Sequence, residues 1–126
     1  MNLRWLFIAA AILILFPGCR SREEVVIPPE LVGIWKTEDP RYENRYFEFT
    51  PGTLTLGRGE ERTEIHPIRS IKKSQDVHGT LYAVGYMNYA ENFEDILLFY
   101  YDPGEGGTIR FKNLPEIVWA KEKRAP

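Results

Sequence analysis

Alternation of apolar and polar side chains, interrupted at short intervals by turn-forming residues, is the dominant pattern from residue 31 onward. Successive side chains of a strand point to opposite faces, so this alternation indicates half-buried strands rather than helices. The interruptions are rich in Pro, Gly, Asn and Asp, which are typical of tight turns. The pattern predicts strands over residues 31–37, 45–50, 53–56, 63–72, 79–89, 95–101, 108–112 and 116–123.

About eight strands joined in chain order predict an all-β domain. We expect an antiparallel up-and-down meander that closes into a small barrel, because closure removes the exposed edges of an open sheet. A β-sandwich is the alternative. It would lack the immunoglobulin disulfide, since the single cysteine of the chain is Cys19.

Strand register can be read around the turn at residues 51–52. If these two residues close a tight hairpin, Phe49 faces Leu54, Phe47 faces Leu56, and all four side chains share one apolar face. A longer loop would shift the register by one residue, because proline cannot take the positive φ that favoured two-residue hairpins need at their first position.

Residues 96–101 do not alternate and are apolar without interruption. A strand of this kind is covered on both faces. We therefore expect a loop, the N-terminal segment or a partner to cover the outer face of this strand.

The N-terminal segment has a different character. Arg4 precedes an apolar run over residues 5–16, after which Pro17 and Gly18 end any helix. A helix of this length covers roughly 18 Å, against a hydrocarbon core of about 30 Å. The run therefore has the proportions of a signal peptide rather than of a membrane span.

The sequence Leu15-Phe16-Pro17-Gly18-Cys19 resembles the lipobox of bacterial lipoproteins. The resemblance implies a signal peptide over residues 1–18, a lipid-modified Cys19 with a tether over residues 19–29, and the barrel domain over residues 30–126. It places the protein in the bacterial cell envelope, anchored to a membrane by its N-terminal lipid, on the periplasmic face in a Gram-negative cell. The alternative is an ordinary secretory signal in which the cysteine is incidental.

The sequence Gly33-Ile34-Trp35 on the first predicted strand resembles the Gly-x-Trp signature of lipocalin-like (calycin) barrels. The resemblance implies that Trp35 points inward and closes the barrel floor beside a short helical turn. A basic residue of the last strand often stacks on this tryptophan, and that strand offers Lys121 and Arg124. The loop over residues 38–45 would be the lid of the ligand entrance. From its residues, it is instead a solvated loop held by ion pairs among its own Arg and Glu side chains.

Few residues carry recognisable chemistry. We expect His66 and His78 to be solvent-exposed and not to bind metal, since ligation needs three or four convergent donors. No nucleophile motif is present, so we expect no cofactor and no catalytic activity. With 16 basic and 18 acidic residues, the chain has a net charge of −2. This balance argues against nucleic acid as a partner.

Tyrosines cluster on two neighbouring predicted strands. They suggest cross-strand packing, a lumen for an amphipathic ligand, or an outer aromatic stripe for a protein partner. An eight-stranded interior is just wide enough for side chains to fill. We therefore expect a non-catalytic interaction module that binds an envelope protein, with a carrier of a small amphipathic or lipid-like ligand as the alternative. The candidate ligand contacts are Trp35, Phe47, Tyr82, Tyr86 and Trp119.

Overall fold

The protein is a closed barrel of antiparallel strands. The computed structural model describes residues 25–59 and 63–123, so the predicted signal peptide and Cys19 lie outside the described residues. The described residues form eight strands: β1 (Gly33–Thr37), β2 (Arg45–Phe49), β3 (Thr53–Arg58), β4 (Thr63–Asp76), β5 (Gly79–Asn88), β6 (Phe93–Asp102), β7 (Thr108–Phe111) and β8 (Leu114–Lys121). Each strand pairs with the next, and β8 pairs with β1. The up-and-down barrel is therefore confirmed, and the sandwich alternative is wrong.

The β2–β3 hairpin has the tight register expected from its alternation. Phe49 pairs with Leu54, and Phe47 pairs with Leu56. Farther along the hairpin, a Cβ atom built on Gly57 would lie 2.0 Å from the ring of Tyr46, so a larger residue there would displace that ring. The glycine lets the tyrosine lie flat across β3.

The β4–β5 hairpin is longer than predicted. β4 continues to Asp76 instead of ending at residue 72, and the turn is the two-residue connection at Val77 and His78. The last residues of β4 are polar and exposed because they pair with β5 on one side, whereas the β3 ladder ends at Pro67. The polar residues at the end of β4 therefore belong to a segment that pairs with a neighbouring strand on one side only, and they do not form a turn.

The N-terminal part of the described chain closes one end of the barrel. The amide of Ile27 donates to the carbonyl of Pro51 at 3.0 Å, and Ile27 is buried. A 3-10 helical turn at Pro29–Leu31 then buries Leu31 before β1 begins. Residues 25–29, which the sequence analysis assigned to the tether, thus pack against the barrel, because apolar Val25 and Ile27 reach its core. We call this the closed end, and the opposite end, with the loops at residues 38–44 and 89–92, the mouth.

Candidate functional site

The floor of the barrel is built around Trp35, which is fully buried. Its indole Nε1 donates to the carbonyl of Leu31 at 3.0 Å, which joins β1 to the helical turn before it. The Lys121 ammonium lies 5.4 Å from the Trp35 ring centroid and donates to the Glu30 carbonyl at 2.7 Å. The inward tryptophan, the helical turn and the basic residue from the last strand are therefore present as the lipocalin resemblance implies.

Aromatic rings fill the middle of the barrel. The ring of Phe47 lies 6.2 Å from that of Trp35, 5.3 Å from Phe111 and 5.2 Å from Trp119, between ring centroids. Strands β2 and β6 stand on opposite walls, yet the ring of Phe49 reaches that of Phe99 at 5.8 Å. Since side chains from opposing walls meet at this level, they occupy the space that a ligand carrier keeps free.

Tyr82 lies in the closed half of the barrel, 1% exposed, with its ring stacked on Phe99 at 5.6 Å. Its hydroxyl donates to Glu30 Oε2 at 3.2 Å. Burial, together with this hydrogen bond, raises the pKa of Tyr82 to about 12. Tyr101 packs edge-on at 6.4 Å, so the interpretation as cross-strand aromatic packing is confirmed for this pair.

Polar side chains gather at the mouth, above the aromatic core. His66 Nδ1 lies 3.0 Å from the Met87 carbonyl, and its Nε2 lies 3.3 Å from Glu64 Oε1. The ring of Tyr86 packs at 5.1 Å from the His66 ring. Burial raises the pKa of Tyr86, and the carboxylate of nearby Asp95 contributes to the shift.

The expectation that His66 is exposed was wrong, because the residue is 6% exposed and points into the barrel. The signal was present in the alternation: Glu64, His66 and Ile68 occupy every second position of β4, and the last of these is plainly apolar. An imidazole whose ring N–H lies within reach of a backbone carbonyl is tolerated on an inward face. His78, in contrast, is exposed as expected.

All five predicted contact residues face the interior. Trp35, Phe47 and Trp119 meet in the core, Tyr82 lies toward the closed end, and Tyr86 lies at the mouth. Ligand binding by these residues stays a prediction. Within residues 25–59 and 63–123, His, Cys, Asp and Glu side chains do not come together in groups of three that could hold a metal ion.

The loop between β1 and β2 is held by an ion pair of its own, in which the acid is Asp39 and not a Glu as expected. Arg41 Nη2 donates to Asp39 Oδ2 at 2.8 Å and Arg41 Nε donates to Asp39 Oδ1 at 3.0 Å. These hydrogen bonds lower the pKa of Asp39 to about 2. Tyr42 of the same loop packs on Trp119 at 5.8 Å between ring centroids, so the loop also contacts the aromatic core.

The outer face of β6 is apolar and exposed. Phe99 faces inward and is buried, whereas Ile96 is 64% exposed and Leu98 is 39% exposed. The cover expected over this face is not supplied by the part of the chain that the structure describes. Tyr82 and Tyr101 point inward, whereas Tyr100 lies on the outer face of β6 and donates its hydroxyl to Asp76 at 2.7 Å.

The fold and the floor define a small lipocalin-like barrel, distinguished by its aromatic filling and by the bare outer face of β6. Comparisons with protein-family models, curated proteins and solved structures find no significant match to the chain. Among the described residues, no helix has the length and apolar content needed to cross a membrane.

Proposed function

We propose that the protein is a lipid-anchored bacterial envelope lipoprotein whose barrel is a non-catalytic module for binding another protein. The observation that carries the proposal is the filled interior. Phe47 touches rings of β1, β7 and β8, and Phe49 meets Phe99 across the barrel. A carrier needs an internal cavity of about 300 Å³ or more, whereas at the level of Phe47 and Phe49 this interior is occupied by its own rings.

A second observation supports an outward-facing function. Exposed apolar side chains that lie next to one another on a folded surface mark interaction sites. Ile96 and Leu98 are such neighbours, because residues two apart on a strand project from the same face.

The lipid anchor is proposed from the sequence around Cys19. The position of the first described residues is compatible with an anchor at Cys19. The chain between Cys19 and Val25 spans at most roughly 20 Å when extended. Since Ile27 is fixed at the closed end, the tether holds that end near the membrane and leaves the mouth and the first half of β6 facing the aqueous compartment.

Site-specific photo-crosslinking in the bacterium that encodes the protein tests this function. A photoreactive phenylalanine analogue replaces Ile96 in one variant and Ile65, 65% exposed on β4, in the matched control. We expect a discrete crosslinked protein at position 96 and none at position 65. Equal crosslinking at both positions, or a crosslinked small amphiphile in place of a protein, would contradict the proposal.

A further inference from the structure

The first half of β6 is an open strand edge. On the side of β7, the ladder ends where the Lys112 amide donates to the Leu98 carbonyl at 3.0 Å. The chain then turns at residues 112–113 into β8. Strand β6 begins at Phe93, so several of its residues extend past the end of its neighbour.

The backbone groups at this edge have a defined direction. In an antiparallel ladder, the amide and carbonyl of one residue point to the same side, and those of the next residue point to the other. Because the Leu98 carbonyl faces β7, Ile96 and Glu94 direct their amides and carbonyls to that side as well. Within residues 25–59 and 63–123, no strand pairs with them there. Donors and acceptors are thus presented at the spacing of a strand.

An apolar groove runs beside the same edge. It measures about 470 Å³, and its lining residues are Ile96, Leu97, Leu98, Phe111, Lys112 and Asn113. A groove of this size, next to free backbone groups, is suited to an extended segment, whose main chain pairs with the edge while alternate side chains enter the apolar pocket.

Charge distinguishes among the chains that could pair here. Glu94 and Asp95 belong to the open segment of β6, and Glu91 precedes it. Asn88 of β5 donates to the Asp95 carboxylate at 3.3 Å, so this negative charge lies beside the free edge and not on it. A second copy paired symmetrically about Asp95 would place that carboxylate opposite its own copy, which is destabilising. Symmetric pairing about Ile96 would require the Leu98 carbonyl edge, which Lys112 already occupies. The acidic edge instead complements a basic chain.

We propose that the β6 edge binds an extended basic segment of a partner protein by strand addition. This inference rests on the proposed interaction function and names the site and the partner chemistry. In the antiparallel direction, the segment carries two apolar residues, opposite Leu97 and Ile96, followed by two basic residues, opposite Asp95 and Glu94.

Synthetic peptides test this directly. The probe is the labelled, terminally blocked peptide Val-Val-Lys-Lys-Thr, which begins opposite Leu97 and so avoids the Leu98 carbonyl that Lys112 occupies. It is titrated against the full chain in detergent micelles and followed by fluorescence anisotropy. The control peptide has Glu-Glu in place of Lys-Lys. We expect saturable binding of the basic peptide, at least tenfold weaker binding after Glu94→Lys, and less than a twofold change after Glu116→Lys on the exposed part of β8.

N-methylation separates strand addition from charge attraction. Two further peptides carry methyl groups on the amides of odd or of even residues. Because only one set of amides can face β6, we expect one methylated peptide to lose binding at least tenfold and the other to retain it. Equal loss in both, loss in neither, or no binding of the parent peptide overturns the proposal. So does a dimer of the protein that Ile96→Lys dissociates.

The proposed interaction function and the proposed strand-addition site can be refuted separately. Persistent protein crosslinking at position 96 without peptide binding would remove strand addition and leave the interaction function standing. Loss of both would remove the interaction function as well.

Discussion

Replacing Tyr82 by phenylalanine changes the stability of the barrel in a pH-dependent way. The ring is buried, the hydroxyl at its edge donates to exposed Glu30, and the pKa of Tyr82 is raised from 10.0 to about 12. A group whose pKa is raised in the folded state stabilises the protein fully below its unfolded pKa. That contribution is lost as the pH rises from about 10 through about 12.

The size of the effect follows from the shift. A shift of two pKa units corresponds to about 2.7 kcal/mol for a fully desolvated group. The Tyr82 hydroxyl meets the carboxylate of an exposed residue and is screened by solvent there, so we expect a loss on the order of 0.5–1 kcal/mol by pH 11. At pH 8, Tyr82→Phe removes a hydrogen bond whose acceptor belongs to an exposed residue, at a cost of about 0.5–1.5 kcal/mol. The wild type is therefore more stable than Tyr82→Phe at pH 8, and this difference in unfolding free energy is smaller at pH 11.

Urea unfolding at pH 8 and pH 11, followed by tryptophan fluorescence, measures this difference. Tyr89→Phe is the matched control, because Tyr89 is 61% exposed; its unfolding free energy stays level with that of the wild type at both pH values. If the difference between wild type and Tyr82→Phe is the same at both pH values, the Tyr82 hydroxyl does not contribute to stability in the way proposed.

Three further substitutions test the aromatic core, the barrel floor and the lipid anchor. Phe47→Ala removes the ring at the centre of the barrel and lowers the unfolding free energy by about 3–5 kcal/mol in urea denaturation. Phe93 is 46% exposed, and Phe93→Ala changes the unfolding free energy by less than about 1 kcal/mol. Similar losses in the two variants would mean that the interior is not packed as described. Lys121→Met removes the cation over Trp35 and its hydrogen bond, at a cost of about 1–3 kcal/mol, and Lys121→Arg recovers at least half of it. Cys19→Ala moves the protein from the membrane to the soluble fraction, measured by fractionation and intact mass, and unchanged membrane association would contradict the lipid anchor.

The barrel was predictable because its signals are local and redundant. Period-two alternation defines the inward face of each strand, and the turn at residues 51–52 fixes the β2–β3 register. The position of Trp35 was predictable for a different reason, because the Gly-x-Trp motif indicates the local geometry of the barrel floor.

The side-chain contacts at the mouth were harder to predict, because the residues that make them come from separate strands. His66 and Glu64 are on β4, while Tyr86 and Asp95 are on β5 and β6. Their proximity depends on the stagger between strands, which no single segment encodes. Histidine is also polar by composition, and its burial depends on the Met87 carbonyl, 21 residues away, as a hydrogen-bond partner.

The apolar sequence of β6 predicts only part of the structure of that strand. The apolar run over residues 96–101 correctly indicated two apolar faces. Which face is inward depends on Phe99, whose partners are Phe49 and Tyr82 on other strands. The free edge at Glu94 and Ile96 depends on where β7 ends, which is decided by the turn at residues 112–113.

Native mass spectrometry of the full chain, extracted from membranes in mild detergent, tests whether the barrel is filled by its own side chains. We expect a single mass for the processed chain with its lipid on Cys19 and no further small molecule, because the rings of Phe47, Phe49 and Phe99 occupy the interior. A stoichiometric, non-covalently bound amphiphile that dissociates only when the barrel unfolds would contradict this expectation and make the protein a carrier.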